Sequence, residues 1–267
     1  MPSRVTRIEV PVETRAPTGT TNAYLADGLL IDPAAESDAL DAALDRIGAD
    51  AVDAVAVTHS HSDHVGGVAA YAESTGATVY AHAAHVDRFR EATGIDPDAT
   101  FRGGETLGST DVRAVDTPGH APDHVAFAVE GGSGSGDGDD PLRELLCGDL
   151  AVAEGSVVVG GPGGDLHAYL DSLERVHDAD YDRLYPGHGP AIDDPTATCQ
   201  RLIDHRLERE RAVLDAVESG ATDLAGVVDA AYEKDLTGVE DLARATVRAH
   251  LDKLAADGRI AESWACE

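Results

Sequence analysis

Residues 58–67 read THSHSDHVGG and place His59, His61, Asp63 and His64 within six positions. The chain holds twelve histidines, so a quarter of them stand in this one stretch. Packing does not ask for such crowding. Three further short motifs carry the same residue types: His120 in TPGH, Asp149 in CGD and His188 in PGHG. Imidazole and carboxylate ligate borderline divalent ions such as zinc, and also suit manganese or iron. Seven such groups are too many for one tetrahedral ion and about right for two. A carboxylate has two oxygens and a charge that offsets two cations, so one of the aspartates can bridge. Water held between two such ions loses a proton near neutral pH and becomes a nucleophile. No separate nucleophilic serine or cysteine is then needed. His120 or His188 alone would read as an ordinary loop residue; the ordered set does not.

The elements that must position these groups are readable nearby. Residues 53–57 form a short apolar strand running into the first motif. Residues 112–115, 144–147 and 183–185 are expected strands leading into TPGH, CGD and PGHG. Strand ends on one sheet edge converge even when distant in sequence. Residues 20–32 read as two strands around Asp27-Gly28, a hairpin-turn signal. Residues 36–47, 65–74 and 166–177 have helical patterning, and 77–81 and 124–129 read as strands. Gly66-Gly67 lets the helix after the first motif pack closely. The run EGGSGSGDGDDP, 130–141, reads as a flexible hairpin connection.

The character of the chain changes near residue 196. Residues 197–219, 222–232 and 239–257 read as three helices, and DGRIAESWA as a short hairpin, with Trp264 in its core. The expected organisation is an α/β domain over 1–195 and a winged-helix-like domain over 196–267.

Asp and Glu number 50 against 20 Lys and Arg, a formal charge of −30. Lys234 and Lys253 are the only lysines. The acids are scattered and form no tail, which reads as a solvated surface built for high salt, where screening makes self-repulsion tolerable. Residues 200–267 carry nine Lys/Arg against fifteen Asp/Glu. A nucleic-acid-binding module ordinarily presents a basic face. Arg201, Arg206, Arg209 and Arg211 could form a local basic strip, or pair with Asp204, Glu208 and Glu210. The module is therefore expected as a lid or dimer surface, or as a direct RNA contact. Cys147, Cys199 and Cys266 show no metal or redox spacing and fit a reducing compartment. The start lacks the apolar core of a signal peptide, and no run approaches the roughly 18 apolar residues of a membrane span. A cytoplasmic, soluble protein is expected.

The motifs resemble the metallo-beta-lactamase superfamily over roughly residues 20–195. That resemblance implies an αβ/βα sandwich with metals at one edge. It implies that His59, His61 and His120 hold a first metal, that Asp63, His64 and His188 hold a second, and that Asp149 bridges them. TPGHAPDHVAF, GDLAVAEGSVVV, DLHAYLDSLERV, PGHGP and HRLERE further resemble the beta-lactamase-like-protein-two branch. That branch includes a single-strand-specific endoribonuclease, and its relatives are often labelled hydroxyacylglutathione hydrolases (glyoxalase II). After Asp149 the chain reads LAVAEG and departs from glyoxalase II.

The expected activity is a dinuclear hydrolase using a metal-bridging hydroxide, with Asp63 and Asp149 as the catalytic carboxylates. The expected substrate is a phosphodiester of single-stranded RNA; the alternative is a small-molecule thioester or other ester, as in glyoxalase II-type hydrolases. A non-enzymatic winged-helix regulator is the reading from another class. A homodimer is compatible with both. His124 stands four positions after His120, where it could orient a ligand. His82 and His85 read as surface or supporting residues. Asn22 and Tyr24 read as packing or supporting groups on an early strand, and Cys147 as a buried strand residue. His205 and Arg206 could face the cleft.

Overall fold

A computed structural model describes residues 4–129, 142–232 and 235–266. The Gly/Ser/Asp stretch at 130–141 lies outside the described residues. One sheet has six strands in sequential order: β1 (Val5–Pro11), β2 (Thr20–Ala26), β3 (Leu29–Ile31), β4 (Ala54–Ala56), β5 (Thr78–His82) and β6 (Ala99–Phe101). β1, β2 and β3 pair antiparallel, and β3 to β6 pair parallel. The second sheet has four: β7 (Val112–Asp116), β8 (Val125–Val129), β9 (Glu144–Gly148) and β10 (Arg183–Pro186), in the order β10-β9-β8-β7.

Strand periodicity divides the core into layers. Ala23 and Leu25 of β2 face one apolar cluster, while Tyr24 and Ala26 face another. The second cluster lies between the sheets and takes Leu29 and Ile31 from one, Phe127 and Leu146 from the other. The outer face of the first sheet is covered by α1 (Asp38–Ile47), α3 (Val68–Thr75) and α4 (Val86–Thr93) through Leu40, Leu44, Val68, Tyr71 and Phe89. The outer face of the second is covered by α5 (Leu166–His177) and the first turns of α6 (Pro195–Glu218) through Leu170, Leu173, Leu202 and Ile203. Helices outside two stacked sheets make the αβ/βα sandwich.

α6 belongs to two clusters. Its later residues Val213 and Ala216 pack with α7 (Leu224–Ala231) and α8 (Glu240–Ala256). Ala249 of α8 reaches back into the cluster under α5. The three expected C-terminal helices are present, but the hairpin is not. Asp257 and Gly258 end α8: Gly258 has φ +67° and donates its N–H to the Ala255 carbonyl. The glycine acts as a helix stop rather than a hairpin turn. Residues Glu262–Cys266 then form a 3-10 helix whose Trp264 packs on the helical cluster. The described residues thus give three helices without a wing.

Other differences are local. The expected helix at 65–74 is broken at Gly66-Gly67 into a single turn, α2 (Ser62–Val65), and α3. A Cβ at Gly66 or Gly67 would lie 2.6 Å from the Ala34 or Pro33 carbonyl oxygen, so both glycines permit close packing. β1, β6 and α4 fall outside the expected elements; β6 has only three residues, too few to show a period. Cys147 and Cys199 are buried and unpaired. Among the described residues, no helix is long and apolar enough to cross a membrane.

Candidate metal centre

All four motifs follow strand ends. His59 follows β4, His61 caps α2, and Asp63 and His64 lie within α2. His120, Asp149 and His188 follow β7, β9 and β10. The seven side chains meet at one edge of the sandwich and form three overlapping donor groups: His59, His61 and His120; His59, His64 and Asp149; Asp63, His64 and His188. Within each group the donor atoms lie within 4.8 Å of one another. Asp149 Oδ2 is 3.6 Å from His120 Nε2 and 3.6 Å from His188 Nε2. Its carboxylate therefore stands between the first triad and the last.

Hydrogen bonds behind the site fix which ring nitrogens face inward. His120 Nδ1 donates to the Val158 carbonyl at 2.8 Å, and His188 Nδ1 to the Thr20 carbonyl at 2.8 Å. A carbonyl only accepts, so Nε2 of each ring is the nitrogen left for the site. His64 Nδ1 donates to Asp32 Oδ2 at 2.9 Å. Thr58 gives its one hydroxyl proton to Asp32 Oδ2 at 2.7 Å and therefore accepts from His59 Nδ1 at 3.1 Å. His61 is turned the other way. Its Nδ1 lies 2.9 Å from His59 Nε2 and 3.0 Å from His120 Nε2.

Electrostatics keep His59 and His61 neutral and Asp149 ionised, as ligands must be, whereas His64 would give up a proton on binding a cation. Burial, then the neighbouring rings of His64, His120 and His61, push His59 well below the usual imidazole range. Burial and His120 bring His61 down to about 4. Burial also pulls on His64, but the Asp32 carboxylate overcomes it and holds that ring up at about 9. Burial would raise Asp149, yet His64, His120 and His188 keep it down at about 2, so it is a carboxylate at any ordinary pH.

The donor set fits divalent cations. His64 Nε2 and Asp149 Oδ1 are buried without a hydrogen-bond partner among the described residues. Lone pairs of three imidazoles converge within one triad. Orphaned buried groups of this kind are costly unless a cation completes them. Space is also kept open: a Cβ at Gly187 would lie 2.5 Å from Asp149 Oδ1 and 2.8 Å from His64 Cε1.

Asp32 and Asp123 escaped sequence reasoning, because their partners are far away in the chain, while Asn22, Tyr24 and His124 take the supporting roles expected of them. Asp32 serves both Thr58 and His64. Asp123 Oδ2 accepts the Ser60 N–H at 2.9 Å, and its Oδ1 lies 2.8 Å from Arg88 Nε. This ties the loop carrying His59 and His61 to the loop carrying His120. Asn22 Nδ2 donates to the Pro186 and Gly189 carbonyls at 2.8 Å each, and Tyr24 donates to Pro186 at 2.6 Å, so both grip the loop carrying His188. His124 is placed behind the site: Nδ1 donates to the Thr117 carbonyl at 2.9 Å and Nε2 accepts the Asp149 N–H at 3.0 Å. Burial and His120 hold it neutral, with its pKa down at about 3. His82 lies apart, 3.3 Å from Asp116. His85 lies beside His82, with ring centroids 5.2 Å apart.

A cleft of about 1130 Å³ opens over His61, Asp63, His120, Asp149 and His188. Its walls come from the β1–β2 segment, residues 152–160 and Leu242 of α8. Arg15 is the only Lys or Arg among its described lining residues. Three of the four C-terminal arginines expected as a strip, Arg201, Arg206 and Arg209, are engaged with backbone carbonyls. Arg201 donates to the Gly155 and Val152 carbonyls, buried Arg206 to Val157, and Arg209 to Ala231.

Two stacked sheets with helices outside and a His/Asp cluster at one edge define a fold family with metal chemistry at that edge. A profile described as the metallo-beta-lactamase superfamily matches residues 16–188, and the chain belongs to that superfamily, whose members are mostly hydrolases. The chain is 30% identical to a beta-lactamase-like protein 2 homolog of Drosophila melanogaster, over 78% of this chain and 70% of that protein. It is 31% identical to an atrochrysone carboxyl ACP thioesterase of Aspergillus fumigatus, over 74% of this chain and 60% of that protein. A metallo-beta-lactamase family protein of Thermus thermophilus superposes with a TM-score of 0.74 at 25% identity, covering 96% of this chain and 94% of that one.

Proposed function

We propose that the chain is a metal-dependent hydrolase of acyl thioesters, with Asp63 and Asp149 as the working carboxylates. His59, His61 and His120 would hold one cation, Asp63, His64 and His188 a second, and Asp149 would serve both. The observation that carries the metal reading is Asp149, equidistant from His120 Nε2 and His188 Nε2, with its other oxygen buried 3.7 Å from His64 Nε2 and without a hydrogen-bond partner among the described residues. Zinc suits this donor set, with manganese or iron as alternatives. Divalent cations bound there supply a water nucleophile at neutral pH and polarise the bond under attack. The chain's own residues do the rest. Thr58, Asp32 and the Val158 and Thr20 carbonyls hold the ring nitrogens in place, and Gly187 keeps room beside Asp149.

The cleft's charge favours a thioester. Val152, Val157, Val158 and Leu242 offer an apolar wall, Glu13 and Glu154 are anionic, and Arg15 is already tied to Asp241. Such walls suit an acyl chain better than a polyanionic strand. A thiolate also leaves with little help, since a thiol pKa is near 8.5. The likeness to a fungal acyl-carrier-protein thioesterase supports the same substrate class.

Cleavage of single-stranded RNA is the second reading, the one implied by the motif resemblance to the beta-lactamase-like-protein-two branch. The deciding assay offers pantetheine thioesters of increasing acyl length and a labelled single-stranded RNA, in molar KCl with zinc or manganese. Thioester turnover that disappears in Asp149→Ala is expected. RNA cleavage without thioester turnover would replace the substrate assignment by the second reading. Full activity of Asp149→Ala would overturn the metal mechanism.

A further inference from the structure

Thr14 and Arg15 are neighbours in the segment joining β1 to β2, and they reach in two directions. The Thr14 hydroxyl accepts the Ala16 N–H at 3.1 Å. Its single proton is thereby directed to Asp63 Oδ2, 2.6 Å away. The same Asp63 oxygen lies 3.6 Å from His188 Nε2. Arg15 turns to the C-terminal helices. Its Nη1 donates to Asp241 Oδ2 at 3.0 Å and its Nη2 to Asp241 Oδ1 at 2.9 Å, a two-pronged pairing. Nη2 also reaches the Gly238 carbonyl at 3.3 Å. Asp241 stands in the first turn of α8, one residue from Leu242 in the cleft wall.

We propose that Thr14 is a positioning residue for Asp63 and that the Arg15–Asp241 pair is the strut that holds it there. The C-terminal helices then take part in shaping the second ion's site, although none of the seven donors lies on them. The inference rests on the metal reading above. A carboxylate can rotate about two bonds, and Asp63 is the most exposed donor of its triad. One charge-assisted hydrogen bond from a fixed hydroxyl selects its orientation. Groups that orient metal ligands in this way change metal affinity about 10- to 100-fold when removed. The strut is an exposed ion pair, so its removal alone acts more weakly.

The test is a cobalt titration of chelator-stripped full-length protein, read by visible absorption and by chelator competition. Wild type, Thr14→Val, Thr14→Ser and Asp241→Asn are compared. Valine has the shape of threonine without the hydroxyl, and serine restores the hydroxyl alone. Thr14→Val should weaken the second ion at least about tenfold and alter its cobalt spectrum, while sparing the first. Thr14→Ser should restore both. Asp241→Asn should weaken the second ion roughly two- to fivefold in dilute buffer and less in molar KCl, where the pair is screened. Equal affinities in wild type and Thr14→Val would overturn the role of Thr14. No effect of Asp241→Asn in dilute buffer would overturn the strut. A wild type that takes up fewer than two ions would overturn the metal reading itself, and this inference with it.

Discussion

Asp32 accepts the His64 Nδ1–H at 2.9 Å, and both side chains are shut away from solvent. Asp32 also takes the Thr58 N–H at 2.6 Å and the Thr58 hydroxyl at 2.7 Å, so one carboxylate orients His64 directly and His59 through Thr58. Its backbone is left-handed, at φ +51°, a conformation short polar residues tolerate.

Asp32→Asn isolates the carboxylate's charge, since asparagine accepts the same backbone. The amide must turn an N–H toward a group that is itself a donor, so at least one hydrogen bond is lost. Metal affinity is expected to fall about 10- to 100-fold. Chelator competition against wild type checks it, and an unchanged affinity would remove Asp32 from the site's support.

His250 of α8 is fully buried, neither ring nitrogen has a hydrogen-bond partner among the described residues, and burial together with Arg206, Arg209, Lys253 and His205 lowers its pKa to about 3. The unfolded chain takes up this proton near the ordinary imidazole value, about 6.5, and the fold does not. Stability linked to His250 is therefore complete above about pH 6.5 and declines as pH falls toward 3, by at most about 1.4 kcal/mol per pH unit. Denaturant unfolding of wild type and His250→Leu across that window should give the shallower decline in the variant. Parallel curves would mean that the ring carries no such linkage.

The chain carries 50 acidic side chains against 20 cationic ones, which leaves a formal charge of −30 spread along it. Self-repulsion of this size weakens as the screening length drops to about 3 Å at molar salt. The melting temperature should rise from dilute buffer to molar KCl. A melting temperature independent of salt would refute the reading of the acidic coat as an adaptation to salt.

The strand-plus-motif pattern was legible because ligand chemistry restricts residue type and strand ends restrict place. The superfamily resemblance drawn from it is borne out, as are the mixed α/β sandwich and the Asp27-Gly28 turn, with φ values of +50° and +81°. The C-terminal hairpin was misread because Asp-Gly serves a helix exit as well as a hairpin. The fragmentation at Gly66-Gly67 was also hidden, since it answers to the Pro33 and Ala34 carbonyls rather than to neighbouring sequence.

By itself, the sequence determined which seven groups stand ready at strand ends and how acidic their setting is. Those are local facts of residue type, order and count. Tertiary structure decided which nitrogen of each imidazole faces the site, because Asp32, Val158 and Thr20 lie 32, 38 and 168 positions from the rings they hold. It also decided that Arg201, Arg206 and Arg209 donate to backbone carbonyls far away in the chain. A side chain's partner depends on where the backbone brings distant groups together, and that information belongs to the packed chain as a whole.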